Sequence, residues 1–153
     1  MRRRQTVPTQ WLIVRGADDL ATAMRLPRDS GVLLVGELNR EQVRHLRQRP
    51  FVVVKEMAGV AQRVHDMREL RRALLAGTPL IFLSPIHSTA SHPDWRPIPR
   101  MRAATMARLA KRRLIALGGM DARKFAHIKD LGFQAWAGIS AWKPSWESRG
   151  VRT

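Results

Sequence analysis

Leu80-Ile81-Phe82-Leu83-Ser84-Pro85-Ile86-His87-Ser88-Thr89-Ala90-Ser91-His92 opens as an unbroken apolar run and closes as a hydroxyl-rich loop. A short apolar run with no polar alternation, bounded by a proline, reads as a strand buried on both faces, as in parallel sheets. Two later stretches have the same form. Ile115-Ala116-Leu117-Gly118-Gly119-Met120 is an apolar run ending in two glycines, and Ala135-Trp136-Ala137-Gly138-Ile139-Ser140-Ala141-Trp142 ends in Gly-Ile-Ser. Glycine lets a backbone approach an anion closely, and Thr89, Ser91 and Ser140 supply hydroxyl donors. Taken singly, each also fits a blander account: Gly-Gly as a tight turn, a Ser/Thr loop as ordinary loop chemistry.

Working outward, further strands are expected at Trp11 to Val14, Gly31 to Gly36, Phe51 to Glu56 and Ala61 to His65. With Leu80 to Ser84, Leu114 to Gly118 and Gln134 to Ile139 they make six or seven. Helical segments lie between them. Asn39 with Gln42 and Asp66 with Glu69 have capping-box spacing, and Asp121 opens a helix whose Phe125, Ile128 and Leu131 share a face. Gly77 and Gly132 are placed to end helices in the left-handed conformation. Another helix, about Arg100 to Lys111, follows the Pro-rich segment His92 to Pro99. Alternating strands and helices predict an α/β fold with a parallel sheet, here an abbreviated TIM-type (βα) barrel. A full eight-stranded barrel typically takes about 250 residues. The chain has 153, so something is missing.

The expected organisation is a basic, flexible arm over 1–8, one domain over 9–142 and a loosely ordered tail over 143–153. The absence of cysteine removes disulfide, thiolate and zinc-thiolate chemistry and points to a reducing compartment, with cytoplasm the default. The apolar run after MRRRQTVP is too short for an export signal core, and no stretch approaches the roughly 20 residues of a membrane span. The net charge of +16 favours anionic partners. Its arginines are spread along the chain, as on solvated faces, so no nucleic-acid partner is expected.

The three strand ends resemble the thiamine-phosphate synthase and thiazole tautomerase family. That family shows Gly-Pro-Ile-Phe-Pro-Thr-x-Ser/Thr-Lys after one strand, similar to Ser84 to His92 with Pro85, Ile86, Thr89 and Ser91 kept. Its Ala-Ile-Gly-Gly-Ile resembles Ala116 to Met120, and its Ile-Ser-Ala resembles Ile139-Ser140-Ala141. Upstream, Val-His-Ser-x-x-Glu resembles Val64 to Glu69, and Leu-Tyr-Leu-Val-Thr resembles Trp11 to Arg15.

The resemblance implies an enzyme that joins an aminopyrimidine pyrophosphate to thiazole phosphate, releasing pyrophosphate. It implies that Thr89, Ser91, Gly118, Gly119, Ile139 and Ser140 surround the thiazole phosphate, and that Mg2+ assists. The pyrophosphate half departs from the pattern. The family's cationic Gln-x-Arg-x-Lys on its second strand corresponds to Leu33-Leu34-Val35-Gly36-Glu37-Leu38, which carries no cation. Of the family's metal carboxylates only Glu56 has a counterpart, and the family's fourth strand with its helix is the best candidate for the missing part. Arg63 stands where the family has a pyrimidine-contacting Ser, and His92 where the strand-six motif ends in Lys. These two are the candidate catalytic substitutes.

His87 and His92 lie in the site loop, where general acid/base work and plain loop roles are both open. His45 and His127 are expected at the surface. Trp11, Trp136 and Trp142 are expected to pack in the core, with Trp95 and Trp146 in loops. The readings carried forward are a synthase with weakened catalysis, a tautomerase-like or catalytically silent phosphate binder, and, from a different class, a basic nucleic-acid-binding protein. An open sheet edge also makes a homo-oligomer possible.

Overall fold

The computed structural model describes residues 6–90 and 92–143. Seven short strands form one wholly parallel sheet: β1 Gln10–Val14, β2 Gly31–Leu34, β3 Val52–Lys55, β4 Ala61–Val64, β5 Leu80–Leu83, β6 Leu114–Leu117 and β7 Ala135–Gly138. Their order across the sheet is β3-β2-β1-β7-β6-β5-β4, so the first and last strands pair at its centre. The sheet curls into a nearly closed barrel with helices α1 Leu20–Ala23, α2 Arg40–Arg47, α3 Met67–Leu75, α4 Arg100–Leu109 and α5 Ala122–Ile128 between the strands. It is an abbreviated TIM-like barrel.

The period-2 alternation of a strand sorts side chains into an inside and an outside. Trp11, Ile13, Leu33, Ala61, Phe82, Ile115, Ala135 and Ala137 form the barrel interior. Their neighbours Leu12, Val14, Val32 and Leu34 pack outward against α1 and α2, while Val64, Ile81, Leu83, Leu114, Ala116 and Trp136 pack against α3, α4 and α5. Trp11, fully buried, meets Phe82 edge to face at 5.5 Å and plugs the floor. Gly31 makes room for it, because a Cβ there would run into the indole. Truncating a buried aromatic of this size typically costs about 3–5 kcal/mol. Pro8, within the expected arm, is buried and its carbonyl accepts the Trp11 indole N–H at 2.9 Å.

The expected helix starts are present. Asn39 and Gln42 close a full capping box. Asp66 caps α3 and Asp121 caps α5, each accepting the N–H three residues on. Gly77 and Gly132 have φ of 71° and 114°. The fold departs from a regular barrel between β3 and β4. Parallel neighbours need a crossover of a dozen or more residues. Here residues 56–60 reverse the chain in a tight turn closed by the antiparallel bridge Met57–Ala61. The Gly59 N–H donates to the buried Thr78 hydroxyl at 3.1 Å, which in turn donates to Gln62. No helix lies between β3 and β4, which are the two edges of the sheet.

His45 and His127 are exposed, as expected. Trp136 is buried, and Trp142 stacks on it at 5.0 Å while donating its indole N–H to the Trp11 carbonyl at 3.0 Å. Trp146 and Ser91 lie outside the described residues, as do 1–5 and most of the tail. No helix among the described residues is long and apolar enough to cross a membrane.

Candidate anion-binding site

With the barrel floor filled, the interior opens only beyond the carboxyl ends of the strands, where (βα) barrels carry their chemistry. A cavity of about 460 Å³ lies there, lined by residues that follow β1, β4, β5, β6 and β7. Thr89, Gly118, Gly119, Ile139 and Ser140 all border it, as do Arg63 and His92. Three strand ends far apart in sequence thus bring their donors to one space.

The glycines have a further cause. Gly118 and Gly119 have φ of 101° and 59°, in the left-handed region that disfavours side chains. A Cβ on Gly118 would sit 2.9 Å from the Pro85 Cα, and one on Gly119 would collide with the Ser88 carbonyl. The loop after β5 therefore docks onto the end of β6. Ile86 and His87 donate their N–H groups to the carbonyls of Leu117 and Gly118, both at 3.0 Å. Gly-Gly serves loop docking first, and that docking brings Ser88 and Thr89 to the cavity. The Thr89 hydroxyl accepts the His92 N–H at 3.0 Å, leaving its own O–H as a donor.

Several lining residues escaped the sequence reading: Arg15, His65, Trp95, Asp121 and Lys124. Lys124 donates to the Gly119 carbonyl at 2.8 Å, which fixes an ammonium beside the Gly-Gly turn. Its sequence signal was a cation in the first turn of a helix, against the helix dipole. Trp95 stacks on His92 at 4.0 Å and meets His65 edge on at 5.1 Å, tying the end of β4 to the loop before α4. His65 is itself held by Glu69, which accepts its N–H at 2.8 Å and lies 3.1 Å from its Nδ1.

Charge at the rim is ordered by three ion pairs. Arg15 pairs with the buried Asp19, Arg63 with Glu56 and His65 with Glu69. The cations that border the cavity are Arg15, Arg63 and Lys124, with Asp121 the one carboxylate among the residues lining it.

His87 stands behind this wall. Its Nε2 is buried without a partner. Burial lowers its pKa from 6.5, nearby Lys124 lowers it further, and Asp121 acts in the opposite sense. The neutral imidazole is favoured.

The donor set does not fit the magnesium ion that the sequence resemblance implies. Glu56, the carboxylate assigned to it, has both oxygens engaged by Arg63, at 2.6 and 3.1 Å. Among the described residues no three His, Asp or Glu side chains are grouped to hold a metal.

Fold and site together define a (βα) barrel with an open cavity at its strand ends. The profile of the thiamine monophosphate synthase family matches residues 17–142, and the chain belongs to that family. No curated protein matches the chain.

Proposed function

We propose that the protein is a thiamine-phosphate-synthase-like enzyme, coupling an aminopyrimidine pyrophosphate to thiazole phosphate, in which the phosphate-binding half is better preserved than turnover. The observation that carries this reading is the meeting of Thr89, Gly118, Gly119, Ile139 and Ser140 in one cavity beside Lys124. In this reading the thiazole phosphate takes the hydroxyls of Thr89 and Ser140, the backbone N–H groups of the Gly-Gly turn and the Lys124 ammonium, with Ser91 as a further donor. Arg63 and His92 face the second substrate. Arg63 meets negative charge on the departing pyrophosphate, and His92, stacked on Trp95, borders the same cavity.

Turnover is expected to be slow. Leu33 of β2 and Val35 just after it face the barrel interior and are apolar, so fixed cations do not come from there. Loss of one donor to a developing anion typically costs on the order of 100-fold to 1000-fold in rate. The positive field, scattered over the surface, serves anionic metabolites and solubility; a membrane or a nucleic acid is not a partner in this reading, and the work is cytoplasmic.

The test is a titration of the full chain with thiazole phosphate, alongside thiamine-phosphate formation from both substrates with and without Mg2+. Thiazole-phosphate binding with turnover well below that of a metal-dependent relative supports the reading. Failure to bind thiazole phosphate overturns it. Tight binding of random RNA or duplex, falling linearly in a log–log plot against salt, would favour a nucleic-acid role instead.

A further inference from the structure

We propose that the outer edge of β3 is the contact surface of a two-fold homodimer, in which this strand pairs antiparallel with the same strand of a second copy.

The edge is open in its backbone. Val52 and Glu56 donate their N–H groups to the carbonyls of Ser30 and Leu34, on the β2 side. In a parallel ladder alternate residues face the same neighbour, so Val53 and Lys55 turn their N–H and C=O groups away from β2. β3 ends the sheet on that side, and no helix lies between it and β4 to cover the seam. β4, at the other end of the sheet, offers less. Ala61 exchanges both of its backbone groups with Met57, at 2.9 and 3.1 Å.

The side chains are open as well. Val52 and Val54 point into the barrel yet are only partly buried, whereas Trp11, Ile13, Leu33 and Phe82, inward on β1, β2 and β5, are at most 2% exposed. The apolar interior is thus incompletely covered at this strand. Just beyond it stand Met57 and Val60, 56% and 39% exposed. Monomeric proteins usually blunt an edge of this kind with charge or proline. Val52 to Val54 carries neither, and Lys55 is charged only at the strand's end.

Charge selects the occupant. Residues 51–62 hold one cation and one anion, Lys55 and Glu56, so the whole net charge of +16 comes from the rest of the chain. Two copies repel each other over most of their surface and least across a neutral strip. An acidic partner would be drawn elsewhere, to α3 and α4, where Arg68, Arg71, Arg72, Arg102 and Arg108 are exposed. A strand edge is also self-complementary, because antiparallel pairing about a two-fold axis sets each N–H against a carbonyl of the other copy. One open edge per copy closes as a dimer and does not propagate.

Sedimentation equilibrium of the full chain over a range of concentrations tests this. The expected result is reversible dimerisation in the micromolar range, as for a small interface. Sodium chloride should tighten the dimer, because ions screen the repulsion between two molecules of charge +16 while the contact itself is neutral. Met57→Lys puts a cation on both sides of the contact and should weaken it by at least about tenfold. Val53→Pro removes an edge N–H that the β2 ladder does not use, and should weaken it to a similar degree. Leu75→Lys, at an 89% exposed apolar position on α3, should leave it unchanged. Thermal melting checks that the variants fold; where Val53→Pro does not, Met57→Lys decides alone.

A chain that stays monomeric at every concentration overturns the proposal and leaves the edge to some other partner. So does a dimer that keeps its affinity in Met57→Lys, an equal loss in Leu75→Lys, or assembly beyond two copies. Weakening by salt also overturns it, since that would mark copies bridged by anions. Val53, Met57 and Val60 do not line the cavity, so the outcome is independent of the function proposed above.

Discussion

Three hydrogen bonds from Arg15 converge on the carboxylate of Asp19: the backbone N–H reaches Oδ2 at 2.8 Å, and the guanidinium adds one bond to each oxygen. Asp19 belongs to the short turn after β1, so this carboxylate both closes the strand end and aims the arginine. Asp19→Ala should lower the free energy of unfolding by about 1.5–3 kcal/mol, the range for hydrogen bonds to a charged group, with the lower end favoured because Arg15 is half exposed. Asp19→Asn, which keeps an acceptor, should cost less. Urea denaturation of the three proteins measures the order.

Two glycines with similar backbones separate dihedral strain from crowding. Gly77 has φ 71° with no atom within 4 Å of an added Cβ, whereas Gly119 has φ 59° and faces the Ser88 carbonyl. Gly77→Ala should cost about 1–2 kcal/mol from the left-handed conformation alone. Gly119→Ala should cost more and also reduce phosphate affinity, because the Ser88–Thr89 loop has to shift. Equal costs in denaturation would show that the β5 loop yields freely.

Neutral and charged donors should differ in their response to salt. Ser140→Ala removes one hydroxyl and should weaken thiazole-phosphate binding by about fivefold, the equivalent of about 1 kcal/mol, with little dependence on salt. Lys124→Met removes a charge and should weaken it by more than about tenfold at low ionic strength, the gap narrowing as salt screens the ammonium. Affinity measured at two salt concentrations distinguishes them.

The His87 imidazole gives a pH signature. Its folded pKa lies below 6.5, so between those two values the unfolded chain binds more protons and stability rises with pH. As pH falls through 6.5 the fold therefore loses stability, and the loss levels off below the folded pKa. His87→Gln should flatten this part of the curve. Thermal melting between about pH 7.5 and pH 5 reads the difference; an unchanged slope in the variant would assign the effect to other groups.

Most of the frame could be read from local pattern, because apolar runs and capping residues are short-range signals. Leu80 to Leu83 and Leu114 to Leu117 announce themselves by composition, and Asn39, Asp66 and Asp121 by their spacing to the residues they cap. Thr89, Gly119 and Ser140 were readable as candidates from their place at strand ends. What escaped depends on contacts across the barrel. Arg15 was passed over because nothing adjacent reveals that Asp19 folds back to hold it, and the turn between them has no apolar period. Lys124 sits in a helix whose pattern reports only the buried side of Phe125 and Ile128. Glu56 looked like a metal ligand until Arg63, seven residues on, was brought against it by the reversal at 57–61. The same reversal stands where a regular (βα) order would carry a helix, and no residue type in Met57 to Val60 specifies that turn.

The pairing of β1 with β7 also sets an order of events. Leu12 finds its partner Gly138 only after nearly all of the barrel has been synthesised, so the central ladder cannot form before the last strand is made. Each half, β1 to β3 and β4 to β7, is a contiguous block, linked to the other by peptide through residues 56–60 and within the sheet by the β1–β7 ladder, to which the Trp142 indole adds its bond to the Trp11 carbonyl. Non-local closure of this kind is slow. A cut within Ala58 to Val60 would leave both blocks whole, with the central ladder still available to rejoin them, which makes the site at the strand ends one that two separate polypeptides could assemble.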